Sequence, residues 1–484
     1  MKARMLELGL LLLSAVVLAV ALAALEISQG NEVTTGMLGL VGGSVAIFAV
    51  AHLVLCWRAP YADQIMLPVV AVLNAVGLTM IYRLNLGSES SPPVSGQVMW
   101  TVVGVALMVV VTVFLRDHRS LHNYSYLLGV AGLVLLALPI VWPSSTSADA
   151  KVWISVGPFS IQPGEFSKIM LLLFFAALLV NKRSLFTVAG RNVLGLQFPR
   201  LRDLGPILVV WGVALVIMAA MNDFGPALLL FGTVLGMLYM ATGRASWLVV
   251  GIGLAAVGAY GVFQISDKIQ DRFTNFIDPV ANFDGTGYQP AQALFGLSFG
   301  GITGTGLGEG YPNMVPVAHS DYILAAIGEE LGLVGLLAVL MLFVVFVSRG
   351  FAAAMQVRDS YGKLVAAGLS LTIAIQVFVV GGGISAMLPM TGLTTPFMSH
   401  GGSSLLANYI LLAILLRISD SARRPAVVGA GVGAAPVPPV SPAVPAVAAA
   451  ALSGCVTDAG LNVGEDAIAS TSPVDGRRAT TAPE

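Results

Sequence analysis

Apolar residues fall along this chain in long unbroken runs, not at the alternating or one-faced spacing of a soluble domain. Runs near the ~20 residues needed to cross a hydrocarbon core lie at 5–26, 36–57, 65–83, 96–115, 124–142 and 165–182. Six more lie at 203–222, 224–242, 246–265, 321–347, 362–382 and 403–418. Around Asn222-Asp223-Phe224 two runs meet with almost no link, so those helices must form a tight hairpin. The pattern predicts an all-α, polytopic membrane protein with about 12 transmembrane helices and a long extracytoplasmic loop before the tenth span. The first run, Met5 to Leu25, is longer than the ~7–15 apolar residues of a signal peptide and is read as a retained helix.

Composition agrees. Of 484 residues, 57% are hydrophobic and 10% are charged, against about 25% charged in soluble domains. Lipid must therefore be the main solvent. Orientation follows from lysine and arginine, which gather in cytoplasmic links. With the N-terminus inside, the outside links hold only Arg83, Lys151, Lys268 and Arg272, with Lys168 inside a span. The remaining basic residues up to Arg424 fall on the inner side, so a multi-pass protein of the cell membrane with both termini cytoplasmic is expected. Beyond Arg424 the chain turns to Ala, Val, Pro and Gly, and 425–484 reads as a disordered cytoplasmic tail. Cys56 and Cys455 make no disulfide framework, and neither zinc-ligand spacing nor a glycine-rich nucleotide loop is present. Nothing points to nucleic acid or to ATP as the driving force.

The unusual polar residues lie in the outward segments 143–164, 266–320 and 383–402. The longest carries glycines at 285, 287, 296, 300, 301, 304, 306, 308 and 310. It reads either as a flexible loop or as backbone able to cradle an anion. It ends in Val315-Pro-Val-Ala-His-Ser-Asp-Tyr322 at the mouth of the tenth span. There Asp321 suits two roles: a helix N-cap, which Ser320 could equally provide, or a general base. Glu329 and Glu330 lie about two turns deeper in the same run and need a partner or a neutral form, since a charge at mid-membrane costs at least ~2.5–3.5 kcal/mol. Lys168 is one candidate partner. Glu165, three residues before Lys168 on the same helical face, competes for it. Asp223 at the hairpin suits a cap for the following helix, which Pro226 would start well, and Leu388 to Ser404 offers hydroxyls, backbone and a titratable His400 for a polar headgroup.

At these residues the sequence resembles the SEDS family of cell-wall proteins, whose members include RodA, FtsW and SpoVE. The resemblance rests on Trp153 with Gln162-Pro-Gly-Glu-Phe-Ser-Lys168, on Asn222-Asp-Phe-Gly225, and on Tyr288-Gln289, Gln292 and Gly300-Gly301 to Gly308. It also rests on His319-Ser-Asp-Tyr-Ile323 with Gly328-Glu-Glu-Leu-Gly332, on Leu388-Pro-Met-Thr-Gly392, and on Ser399-His-Gly-Gly-Ser-Ser404. It spans roughly residues 65–420 and is closer to actinobacterial RodA than to FtsW. It implies a ten-span core at 61–424, with 1–60 as an added two-helix extension. The implied activity is a peptidoglycan glycosyltransferase that polymerises lipid II at the outer face for cell elongation, beside a class B penicillin-binding protein that cross-links the strands. A division polymerase, a lipid II flippase and a non-catalytic scaffold are the rival readings.

By resemblance, Asp321 becomes the catalytic base. Glu165, Lys168, Asp223, Arg272, Gln292, His319, Ser403 and Ser404 become substrate-binding residues, and a divalent cation, Mg2+ or Mn2+, becomes a candidate helper. Val317 stands where the family often has Glu, so a metal site that relies on that carboxylate lacks it here. Gly164 and His400 replace a usual Ser and Tyr.

Overall fold

The computed structural model describes residues 4–425 apart from 31, 33–34, 88–93, 143–151, 157–158, 183–191, 194–195, 198–204 and 222. Asn222, half of the first outward segment and the Ala/Pro-rich tail thus lie outside the described residues. The remaining chain is almost wholly helical. It runs α1 (Met5–Ser28), α2 (Thr35–Arg58), α3 (Met66–Gly87), α4 (Val94–Phe114), the short α5 (Ser120–Asn123), α6 (Ser125–Val141) and α7 (Pro163–Asn181). It continues with α8 (Gly205–Ala220), α9 (Phe224–Thr242), α10 (Ser246–Ile265), α11 (Asp267–Ile277), α12 (Tyr288–Gly300), α13 (Ile323–Glu330), α14 (Gly332–Gln356), α15 (Ser360–Ile384) and α16 (Gly402–Arg423). A small antiparallel hairpin, β1 (Ile154–Val156) and β2 (Phe159–Ile161), leads into α7.

Among the described residues ten helices are long and apolar enough to span a membrane. The predicted runs 124–142 and 203–222 form the shorter apolar helices α6 and α8. Four spans form the centre: in their most apolar stretches α3 is 83% buried, α7 78%, α15 72% and α16 89%. By contrast α10 is 6% buried and α2 17%, so their side chains face lipid. Apolar runs alone cannot separate the two kinds, because lipid and protein interior are equally apolar neighbours.

At one end of the bundle, charges knit the links together. Asp63 accepts from Arg349 at 2.5 Å and from Arg423 at 2.7 Å. Arg417 donates to the carbonyls of Arg58, Leu115 and Arg116, and His118 pairs with Asp359 at 2.9 Å. The residues proposed for chemistry sit at the opposite end.

The structure corrects three expectations. First, the tenth span is broken. α13 stops at Glu330, and α14 starts anew at Gly332, whose φ of +66° is left-handed. The carbonyls freed by the break are met by the glycine-rich segment: Thr305 N–H donates to Glu329 O and Gly306 N–H to Glu330 O, each at 3.1 Å. In return Leu333 and Val334 donate to Gly301 O and Ile302 O. The segment is therefore an ordered strap, and much of the outward stretch before it is helix α11 and helix α12. A break in a span is tolerated where protein re-satisfies the backbone.

Second, Glu330 pairs with Arg83, at 2.7 Å, and not with Lys168. Glu329 instead accepts from the backbone N–H of Tyr311 at 2.5 Å.

Third, the segment after α15 does not stay outside. Gly77, half-way along α3, lies against the backbone of Met398, and Phe397 and Met398 are fully buried. This re-entrant chain is held by polar side chains. Asn74 donates to Phe397 O, Gln376 to Thr394 O at 2.7 Å, and Thr395 N–H to Ser399 Oγ at 2.9 Å. A Cβ at position 77 would strike Met398 backbone, which cannot swing aside. Gly77→Val is expected to destabilise the protein by about 1–3 kcal/mol, as overpacked cores do. The check is a lowered thermal unfolding midpoint in detergent, and an unchanged midpoint would contradict this packing.

Candidate functional site

Helix α11 is polar on one side. Lys268, Asp271, Arg272 and Asn275 recur at spacings of three and four residues and so share a face. Phe273 and Ile277 on the other face are exposed, as suits a helix lying in a membrane interface. The polar face closes a cavity of about 360 Å³. Its other walls are Gln289 and Pro290 of α12, Asp321 and Tyr322 before α13, and the chain from Gly383 to Gly392.

Asp321 is the carboxylate of this cavity that stands at the mouth of the broken span. Burial lifts its pKa to about 6, while its own backbone N–H and the Arg272 guanidinium restrain the rise. It does not cap α13: Tyr322 holds the N-cap position, and no side-chain cap bond is formed. Arg272 Nη1 donates to Thr391 O at 3.0 Å, which fixes the guanidinium over the cavity wall.

Asp223 links this cavity to a second polar group. Burial, and then the Glu165 carboxylate, raise its pKa to about 6, while Lys268, Arg272 and Lys168 pull it back. It occupies the N-cap position of α9 without making a cap bond, so its carboxylate is not consumed by the helix. Glu165 and Lys168 pair with each other at 2.6 Å on the first turns of α7, both nearly buried. Lys168 also donates to Gln376 Oε1 at 3.4 Å. Asp321, Arg272, Lys268, Asp223, Lys168 and Glu165 thus form one polar tract across the outer ends of α7, α9, α11 and α13.

The other predicted site residues are placed differently. His319 O accepts from His400 N–H at 2.8 Å, and the two rings meet edge-on at 5.8 Å. Burial, and then His400, depress His319 to about 4, so it is neutral at pH 7 and does not offer charge to a phosphate. Gln292 lies outside the cavity wall, where Gln289 stands instead and donates to Pro316 O at 2.7 Å. Ser403 accepts from Gln162 N–H at 2.8 Å, and Ser404 bonds Thr394 and Asn408, so both hydroxyls hold the re-entrant chain and α7 in place.

Lys268, Asp271 and Gln376 were not singled out by sequence. The first two carried a readable signal in their helical spacing with Arg272. Gln376 had none beyond being an amide in an apolar run. Among the described residues no group of three or more His, Cys, Asp or Glu side chains could hold a metal ion. The described side chains do not by themselves form a metal centre.

Residues 62–424 match the model of the cell cycle protein family that contains FtsW, RodA and SpoVE. The chain belongs to this family. It is 50% identical over 426 residues to the peptidoglycan glycosyltransferase RodA of Mycobacterium tuberculosis, covering 87% of this chain and 91% of that one. Against the RodA of Mycobacterium leprae it is 48% identical over 424 residues, with 87% and 91% covered. Family members of other types are more distant: the stage V sporulation protein E of Bacillus subtilis is 30% identical over 372 residues, covering 75% of this chain and 98% of that one. The fold matches the crystal structure of the rod shape determining protein RodA of Thermus thermophilus, with a TM-score of 0.53 at 22% identity, covering 75% of this chain and 98% of that chain. In this FtsW, RodA and SpoVE family, the α1–α2 pair of the present chain lies before the matched residues.

Proposed function

We propose that this protein is a peptidoglycan glycosyltransferase of the RodA type, polymerising lipid II at the outer face of the cell membrane, with both termini in the cytoplasm. The observation that carries the reading is Asp321, a carboxylate lifted towards neutrality in a cavity it shares with Arg272 and Lys268. The 4-hydroxyl of one lipid II attacks the anomeric carbon of the growing glycan. The bond from that carbon to the pyrophosphate oxygen breaks, the hydroxyl proton passes to Asp321, and undecaprenyl pyrophosphate leaves. Arg272, Lys268 and Lys168 meet the charge that develops on the leaving group.

An apolar groove of about 850 Å³ supports the lipid part of the reading. Val110, Phe114, Leu128, Leu135, Phe166 and Ile414 are among its walls, and its outer end is at Ile161 and Pro163, beside Glu165. A polyprenyl chain lying there would place its pyrophosphate near Lys168. The likeness to a chain of a peptidoglycan synthase complex that coordinates polymerization and crosslinking, with a TM-score of 0.53 at 24% identity and covering 80% of this chain and 98% of that one, supports a partner. A class B penicillin-binding protein is the partner of that chemistry. Glu329 and Glu330 are engaged by Tyr311 and Arg83, so they are poorly suited to serve as the mobile carboxylates of a flippase.

The test is polymerisation of labelled lipid II by purified protein with its cognate penicillin-binding protein, the partner's transpeptidase serine blocked. Glycan strands are expected from the wild type. No polymer under conditions where a related enzyme works would overturn the reading in favour of a flippase or a scaffold.

The active form of Asp321 is the carboxylate, so the rate is expected to fall as pH drops below about 6. Arg272 favours that carboxylate, and removing it frees the effect of burial. In Arg272→Ala the acidic limb of the rate profile is therefore expected at higher pH, by up to about one unit. A limb that stays put, or moves down, would show that the Arg272 charge does not act on the base.

A further inference from the structure

We propose that the N-terminal two-helix extension braces the glycine-rich strap, and that Gln29 at its outer end is a positioning residue for Asp321. The inference deepens the polymerase reading and rests on it for its catalytic part. The extension comes before the family-matched residues 62–424, yet it reaches the same carbonyl as the core. Gly308 O accepts from Gln29 Nε2 at 2.8 Å and from Arg83 Nη2 at 3.2 Å. Gly308 lies so close to the end of α1 that a Cβ there would overlap Ser28 Oγ and press on Leu25. Glu26, almost fully buried in α1, is bonded by Tyr82 of α3, next in sequence to Arg83.

From Gly308 the connection runs inward through rigid parts. Arg83 Nη2 also donates to Gly310 O at 2.8 Å, and its Nε donates to Glu330 at 2.7 Å. Glu330 is the last residue of α13, whose residues are all buried, and Asp321 lies just before the first turn of that helix. One end of a short stiff helix is thus gripped where the strap, the core and the extension meet, and the other end carries the base.

The strap needs such a grip. Gly301, Gly304, Gly306 and Gly308 all have positive φ, a backbone region glycine enters freely and therefore leaves freely. Its order depends on outside partners for its carbonyls and amides. An enzyme that must hold a base within a few tenths of an ångström of a hydroxyl gains rate from that order. Losing Gln29 therefore loosens the strap and lowers kcat, while groups that bind lipid II, and so KM, are untouched.

The test uses the full-length protein in lipid nanodiscs. Hydrogen exchange is followed at the N–H groups of Gly304, Thr305, Gly306 and Glu309, which are bonded to the end of α12, to α13 or within the strap. Gly304 N–H is held by Gly300 O at the end of α12. In Gln29→Ala, exchange at these amides is expected about two- to tenfold faster, the effect of one neutral hydrogen bond. The kcat for lipid II polymerisation is expected to drop by a similar factor with KM unchanged. Gln29→Lys keeps a donor within reach of Gly308 O and is expected to restore most of both.

Unchanged exchange in Gln29→Ala overturns the brace. Faster exchange with kcat unchanged, or a change confined to KM, overturns the positioning role. A wild type that makes no polymer would instead sink the polymerase reading, and exchange would still decide whether the extension holds the strap.

Discussion

Asp321→Asn is expected to lower lipid II polymerisation by about 10²–10⁴-fold, the usual worth of a positioned general base. The amide has the same shape and volume, so the cavity keeps its form, but it cannot take the proton from the attacking hydroxyl. The fall should therefore lie in kcat, with the unfolding midpoint and partner binding unchanged. The residual rate should also lose the acidic limb near pH 6, because the group responsible for it is gone. If Asp321→Asn retained more than about a tenth of the rate, or kept that limb, the base would have to be sought elsewhere in the tract. Asp223 would be the first candidate, since burial and Glu165 lift it to a similar range.

The second large effect concerns the ion pair of α7. Lys168→Ala leaves the Glu165 carboxylate nearly buried without its cation, for which the expected cost is about 3–5 kcal/mol of stability. Removing both charges, as in Glu165→Gln with Lys168→Met, leaves nothing uncompensated, and most of that stability is expected to return. The two readouts then separate structure from chemistry. If Lys168 neutralises the departing pyrophosphate, the double variant is stable but slow. If it recovers both stability and rate, the pair serves the fold alone and the cationic role passes to Arg272 and Lys268. Thermal unfolding and polymerisation measured on the same preparations decide the matter.

The tract also explains why the outward segments resisted a simple reading. Asp321 suits two uses, as a cap or as a site group, and local sequence by itself favours the cap. Asp321 and Asp223 both stand where a helix begins, and in neither case does the side chain make a cap bond. Ser403 and Ser404, in contrast, are committed to backbone and side-chain partners that hold the bundle closed. The difference lies in what packs against each residue, and those neighbours come from helices far away in the chain.

Properties set by short stretches of chain were determined by the sequence alone. The position of each apolar run follows from local hydropathy, because crossing a bilayer needs only enough consecutive apolar residues. The pairing of Glu165 with Lys168 was legible for the same reason, since three residues along a helix return to one face. So was the concentration of unusual polar residues near Asp321, Asp223 and Arg272. Tertiary structure alone decided the break between α13 and α14, the dip of Phe397 and Met398 into the bundle, and the choice of Arg83 as the partner of Glu330. In each case backbone or charge is taken out of lipid and satisfied by groups distant in sequence. Strap amides meet the freed carbonyls of Glu329 and Glu330, and Asn74 and Gln376 meet those of Phe397 and Thr394. A broken or re-entrant segment is stable only because those partners are in place, and which partners arrive is a property of the assembled bundle.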